Sequence, residues 1–333
     1  MAMKKFINDP ENLVPELLEG YAAAYPSLIK LEGSRIVVRT KKKPAGKVAV
    51  VGMGGSGHEP ALSGYVGTGL YDVSVPGEIF SAPSAPRCLE GLKLGDRGAG
   101  IVYIVYNHDG DKLAANMAMQ MAAKEGLKVR KVVTSDDVSN APRSDPENRR
   151  GLNGGLFVIK VAGAAAEEGC SLDEVTALAE RMADNMATLA VAVKPATHPV
   201  TGQEFFQLPD DEMEIGMGQH GEAGTGRMKM KSADETAEIM LNNLLTDLNV
   251  KPGEQVVVML NGTGGTTHME LFIIFRRIEQ ILKAKGIKLV DGIVGELLTV
   301  QEQAGFQINL ARMDDELLRL WKAPCESPYL TRC

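Results

Sequence analysis

Val48-Ala49-Val50-Val51 runs directly into Gly52-Met53-Gly54-Gly55-Ser56-Gly57-His58-Glu59-Pro60. The apolar, β-branched run predicts a buried strand. The glycines after it predict a loop, ahead of an apparent helix, whose backbone N–H groups approach a polar or anionic ligand. Outward from this point the pattern alternates. Ile36–Val38 predicts an earlier strand, joined through the turn Lys42-Lys43-Pro44-Ala45-Gly46, with Lys41–Lys43 a solvated basic patch. Ile101–Tyr106 predicts a strand, Asp111–Glu125 a helix with Ala, Met and Leu inward, and Val129–Thr134 another strand. This β–α–β rhythm favours an α/β sheet with parallel pairs.

Further along, Asn153–Glu168 predicts a helix of small residues. Ser171 and Glu174 have the spacing of a capping box, opening a helix to about Met186. Thr188–Val193 returns to strand, and Pro195 and Pro199 then break the pattern. Two domains are expected, 1–190 and 191–333. In the second, Ser232 and Glu235 form another box, with a helix to about Leu248. Gln255–Leu260 predicts a strand and Asn261–Thr267 a Gly-rich loop. Met269–Lys285 predicts a long helix, Lys288–Ile293 and Gln307–Ala311 strands, and Asp314–Trp321 a short helix. The fold class is α/β: two α/β domains, each a mostly parallel or mixed sheet flanked by helices.

Composition sets the exclusions. The 333 residues are 44% hydrophobic and 24% charged, enough to bury a large core without disulfide or metal. A net charge of −7 argues against a nucleic-acid or membrane-surface binder. Cys88, Cys170, Cys325 and Cys333 show no CxxC spacing, so no metal site is expected and reduced thiols in a cytoplasm fit best. Neither a signal-peptide stretch nor a membrane-length apolar run occurs, and a cytoplasmic protein is expected.

Gly52–Gly57 lacks the Lys-Ser/Thr ending of a nucleotide P-loop, because His58 and Glu59 follow it. It satisfies G-x-G-x-x-G, with Asp72 and Glu78 about where a ribose-binding acid would fall, so a dinucleotide site is one alternative. Gly262–Thr267 reads equally as a ligand loop or a tight turn. Among five histidines, His198 and His268 read as structural. His58 and His220 are each set in glycine, with room for a ligand beside the ring. Asp109 and Asp111 follow the strand Ile101–Tyr106, where open α/β sheets gather ligands. Each is readable as a base or as a helix N-cap.

Gly54-Gly55-Ser56-Gly57-His58-Glu59-Pro60, Asn107…Gly110-Asp111, and Asp211-Glu212-Met213-Glu214 leading to Gly218-Gln219-His220-Gly221-Glu222 together resemble the dihydroxyacetone kinase family, specifically its ketose-binding subunit. The resemblance spans nearly the whole chain. It implies a two-domain α/β homodimer in which a histidine, here His220, holds the ketose carbonyl as a covalent hemiaminal. It maps substrate contacts to Gly55, Ser56, Gly57 and His58, and the active-site aspartate to Asp111 rather than Asp109. His58 is expected to hydrogen-bond the developing hydroxyl, and Asp111 to accept the proton of the attacking terminal hydroxyl.

The same resemblance implies no cofactor on this chain. ADP or ATP with magnesium is expected on a separate helical nucleotide-binding kinase subunit, since Cys333 follows closely on the second domain. A phosphotransferase-system protein is a further expected partner, as phosphodonor; nucleic acid and membrane are not. Two positions depart from the family pattern. Tyr106 stands where a substrate-contacting lysine is common, and Ala223 where proline follows His-Gly-Glu. The first leaves a four-carbon ketose such as erythrulose as an alternative to dihydroxyacetone. A ketose-sensing transcriptional co-activator without kinase activity is the other alternative; retention of Asp111 favours the enzyme.

Overall fold

The computed structural model describes residues 4–33, 35–222, 224 and 226–333. These residues divide into two compact units. The first gathers 1–134, 156–182 and 316–333; the second gathers 135–155 and 183–315. The units are therefore discontinuous in sequence, in contrast to the expected division at 190/191. The physical reason for the late return lies in the first unit. Trp321, fully buried, packs its ring 5.0 Å from that of Phe157, and the Lys160 ammonium donates to the Leu320 carbonyl at 2.8 Å. Burying an indole and capping a helix end hold the last residues there.

The first unit contains helix α1 (Leu13–Ala24) and a six-stranded sheet. Its strands are β1 (Ile29–Glu32), β2 (Ile36–Arg39), β3 (Ala49–Ser56), β4 (Val73–Ile79), β5 (Ile101–Tyr106) and β6 (Val129–Thr134), in the order β1-β2-β4-β3-β5-β6. β4, β3, β5 and β6 run parallel; β1 and β2 form an antiparallel margin. Helices α2 (Ala85–Gly95) and α3 (Asp109–Lys124) pack Cys88, Leu92, Ala115, Ala118 and Ala122 against Val51, Met53, Val75, Tyr103 and Val105. Helix α4 (Gly155–Glu168) is buried along most of its length, as its small residues foretell.

The first unit departs from its sequence pattern at two places. The glycine run does not form a loop before a helix: β3 carries it to Ser56, paired with β4, and a turn followed by a short 3-10 segment at Ser63–Tyr65 comes next. The strand–loop–helix arrangement of a dinucleotide site is thus absent there. Nor is Lys43 solvated. Its ammonium is buried and donates to Asp72 Oδ2 at 2.8 Å, and Asp72 also pairs with Arg39. A buried carboxylate needs such partners.

In the second unit, helix α5 (Leu172–Asp184, shared with the first) leads into a mixed sheet. Its strands are β7 (Met186–Lys194), β8 (Glu212–Ile215), β9 (Gly226–Lys229), β10 (Gln255–Gly262), β11 (Lys288–Gly295) and β12 (Ala304–Met313), in the order β11-β10-β12-β7-β8-β9. Only β10 and β11 are parallel. Helices α6 (Ala233–Asp247) and α7 (His268–Ala284) bury Met240, Leu241, Leu244, Leu271, Ile274 and Ile278 on one face of it. Both begin in capping boxes, Ser232 with Glu235 and Thr267 with Glu270. The chain closes with α8 (Asp315–Lys322) and the short pair β13 (Cys325–Glu326) and β14 (Thr331–Arg332). Among the described residues no helix is long and apolar enough to cross a membrane.

Candidate functional site

In the first unit the expected residues gather at the carboxyl ends of adjacent parallel strands. β3 and β5 pair in register from Ala49↔Ile101 to Gly52↔Ile104, so both chains leave the sheet on the same edge. β3 delivers Gly55, Ser56, Gly57 and His58, and β5 delivers Tyr106 and Asp111. Ligands collect at this edge of open α/β sheets because backbone groups beyond the last rung are unpaired and helices begin there. The Ser56 hydroxyl donates to the Gly77 carbonyl at 2.8 Å, tying β3 to the end of β4. A Cβ on Gly55 would sit 2.8 Å from the Ser81 nitrogen and 3.0 Å from Phe80 backbone atoms, so only glycine fits. Gly57 takes φ +99°, a left-handed conformation open to glycine. Its N–H donates to the Glu59 carboxylate at 3.1 Å, and burial pushes that carboxyl up. His58 is buried and edge-on to Phe80, ring centroids 4.9 Å apart.

Asp111 lies in the first turn of α3, next to exposed Asp109. Neither is the N-cap; that position is His108, whose side chain makes no capping bond. Asp111 is the buried one of the pair, with only 8% of its surface exposed, and Tyr106 closes β5 almost fully buried. A carboxylate in the first turn gains from the helix dipole. Asp109 pairs at the surface with Lys112.

In the second unit His220 lies in the connection of the β8–β9 hairpin. Met217 and Gln219 are buried on either side of Gly218, and the Gln219 amide donates to the Gly151 carbonyl at 3.0 Å. These two anchors leave the next side chain, His220, partly exposed at 29%. The Glu222 carboxylate accepts from the His220 backbone N–H at 2.9 Å through Oε2 and faces the ring Nδ1 at 3.2 Å through Oε1. Burial raises the Glu222 carboxyl, but the ring and backbone N–H of His220 outweigh it and hold the carboxyl far below the usual range. Ala223 lies outside the described residues.

Behind this loop stands a support that the sequence reading missed. Arg150 donates to Asp137 at 2.7 Å, to Ser139 at 3.1 Å and to the Gly216 carbonyl at 2.8 Å. Asp136, fully buried, accepts from the Leu152 and Gly154 N–H groups at 2.8 and 2.9 Å. Burial pushes its carboxyl up to about 6, against the hydrogen bonds from Thr188 and the backbone. No sequence signal marks this support, because Asp136-Asp137 and Arg149-Arg150 read as surface charge until folding turns them inward. His198 accepts from the Val200 and Thr201 N–H groups and lies edge-on to Phe205. His268 opens α7, edge-on to Phe272. Within either unit alone, the described residues bring no three His, Cys, Asp or Glu ligand atoms together.

Two mixed α/β sheets, a histidine and an aspartate that follow adjacent parallel strands, and another histidine in a braced hairpin connection define the class. The Dak1 domain matches residues 19–329. A curated relative, the PTS-dependent dihydroxyacetone kinase 2, dihydroxyacetone-binding subunit DhaK of Listeria innocua serovar 6a, is 37% identical over 98% of this chain and 99% of that protein. The L-erythrulose kinase of Pectobacterium atrosepticum is 36% identical over 98% of this chain, but over only 56% of its own length. Among solved structures, the dihydroxyacetone kinase operon co-activator Dha-DhaQ superposes with a TM-score of 0.90 at 30% identity, covering 96% of this chain and 98% of that one. This chain belongs to the Dak1 domain family.

Proposed function

We propose that the chain is the ketose-binding subunit of a dihydroxyacetone-type kinase, a phosphotransferase acting on an alcohol group. One observation carries this: a dedicated dihydroxyacetone-binding subunit is 37% identical to this chain along nearly its whole length. In this reading His220 adds to the ketose carbonyl carbon and holds the sugar as a hemiaminal, which excludes polyols lacking a carbonyl. His58 hydrogen-bonds the new hydroxyl. Asp111 accepts the proton of the terminal hydroxyl as it attacks phosphorus. Gly55, Ser56, Gly57 and Tyr106 wall the sugar, and covalent capture restricts it to one orientation.

The phosphoryl group comes from ATP, held with magnesium on a separate helical nucleotide-binding subunit, and the ADP left there is recharged by a phosphotransferase-system protein. This chain binds no cofactor of its own, works as a cytoplasmic homodimer, and engages neither nucleic acid nor membrane. Tyr106 favours a second reading of the substrate, a four-carbon ketose such as erythrulose. A neutral phenol in place of a lysine relaxes the electrostatic demand at that wall.

Reconstitution tests the proposal. The chain is mixed with the helical subunit of a related kinase, nucleotide, magnesium and either ketose, and phosphorylated sugar is measured. Product is expected, and its dependence on sugar identity names the substrate. A ketose adduct on the chain without any phosphoryl transfer would instead support the sensor, a co-activator of the kind its structural neighbour represents.

A further inference from the structure

We infer that Glu222 is a positioning residue that fixes the His220 imidazole in the tautomer able to attack a carbonyl; this rests on the reading of His220 as the nucleophile. The Glu222 side chain is an ionised carboxylate. It accepts hydrogen bonds and donates none. One oxygen of Glu222 takes the His220 backbone N–H, and the other faces Nδ1 of the same residue. A single carboxylate thus ties ring to backbone, and the proton belongs on Nδ1. The lone pair then belongs to Nε2, the nitrogen that makes the bond.

The surroundings hold Glu222 in this place. Gly218 N–H donates to the Glu222 carbonyl at 2.9 Å, closing the loop on itself, and Gly221 takes φ +82°. A Cβ on Gly218 would collide with the Glu222 carboxylate and lie 2.5 Å from Arg150 Nη1, so glycine at 218 leaves the carboxylate its room. The Arg150 guanidinium, anchored on Asp137, Ser139 and the Gly216 carbonyl, keeps positive charge beside it. The strongly depressed Glu222 carboxyl agrees with an acid that stays ionised.

The chemistry balances. Nε2 forms a bond to the carbonyl carbon, and the π pair moves to oxygen. The ring becomes an imidazolium whose Nδ1 proton faces Glu222, which stabilises that charge. The alkoxide takes a proton from solvent and the Nδ1 proton stays on the ring, leaving a hydroxyl at the former carbonyl carbon and an imidazolium paired with the Glu222 carboxylate. A carboxylate that holds a histidine without touching substrate plays the same part in hydrolytic triads, where neutralising it costs about 10⁴-fold.

The test combines ¹⁵N-histidine NMR of the ketose-free protein with the rate of adduct formation, on the native chain, Glu222→Gln and Glu222→Asp. In the native chain His220 Nδ1 is expected as the protonated nitrogen and Nε2 as the bare one. Glu222→Gln, whose amide donates as readily as it accepts, is expected to mix the tautomers and slow adduct formation by at least about 100-fold. Glu222→Asp is expected to restore the native tautomer and most of the rate. A Gln variant with native tautomer and native rate overturns the inference, as does an Asp variant no better than Gln. Absence of any adduct on the native chain would instead refute the ketose reading, while the tautomer spectra still decide the role of Glu222.

Discussion

Two glycine-rich segments each present one histidine, and they are built by opposite means. Gly52–His58 is an extension of a central parallel strand. Its glycines are hemmed in by buried parts of the same unit, the Tyr71 ring at Gly52, Leu62 at Gly54 and the Phe80–Ser81 backbone at Gly55, and His58 ends up buried. Gly216–Glu222 is a hairpin connection held by side chains: Arg150 on Gly216, Gln219 on Gly151, Glu222 on His220. Its histidine keeps 29% of its side chain exposed. The first design makes a fixed wall, because moving it means moving the sheet. The second suits a group that must form and break a covalent bond, because a few polar contacts set its aim without burying it. Similar composition therefore carries different work, decided by whether sheet pairing or polar side chains hold the segment.

Substitutions that separate capture from transfer have the largest expected effect. His220→Ala is expected to abolish the ketose adduct in intact-mass measurements. Asp111→Asn is expected to keep the adduct and lower phosphoryl transfer by about 10²–10⁴-fold. Loss of the adduct in Asp111→Asn would break the division of labour between the two segments.

The glycines sharpen the contrast. Gly55→Ala meets backbone and is expected to cost about 1–3 kcal/mol of stability by denaturant titration. Gly218→Ala meets the ends of two side chains, which are able to move. It is expected to leave the unfolding midpoint nearly unchanged while slowing adduct formation by at least tenfold, about 1.4 kcal/mol in barrier. Equal stability losses would show that both segments are braced alike.

The support behind His220 has its own pH signature. Asp136 titrates near 6 in the folded chain, against about 3.9 when unfolded. A folded value above the unfolded one means the neutral acid is favoured by folding. That contribution is fully present below about 4 and is lost as pH rises through about 6, amounting to roughly 2–3 kcal/mol. Denaturant titrations from pH 4 to 7 are expected to show this decline in the native chain and not in Asp136→Asn. The smallest effect belongs to Tyr106→Phe. Loss of one hydroxyl contact is expected to raise KM for the ketose about 2–10-fold with kcat unchanged in the reconstituted assay.

Much of the architecture is legible in residue order. β5 is predicted to the residue because six consecutive apolar side chains admit little else, and the Ser171 and Ser232 boxes announce their helices. The Thr267–Glu270 box was equally available, hidden by the glycines before it. Other features resist reading for physical reasons. Glycine is ambiguous between loop and close-packed strand until its neighbours are known, so Gly52–Ser56 reads as a loop though it is β3. β8 and β9 are four residues each, too short for a periodic signal, and so the hairpin that carries His220 goes unseen. Buried Lys43 and half-buried Arg150 look like surface charge because their partners, Asp72 and Asp137, are identified only by the fold. The candidate residues His58, Asp111 and His220 stand out because polar groups flanked by glycine or following a buried strand are visible locally. The long-range braces of the His220 loop, Arg150 on Gly216 and Gln219 on Gly151, are not.

Dihydroxyacetone labelled with ¹³C at its carbonyl carbon, added to the native chain and to His220→Ala, tests covalent capture most directly. In the native chain the carbonyl resonance is expected to give way to a protein-bound tetrahedral carbon that is absent from the His220→Ala sample. A bound sugar that keeps its carbonyl or hydrated-ketone signal in both proteins, or a tetrahedral adduct that survives in His220→Ala, would contradict the account.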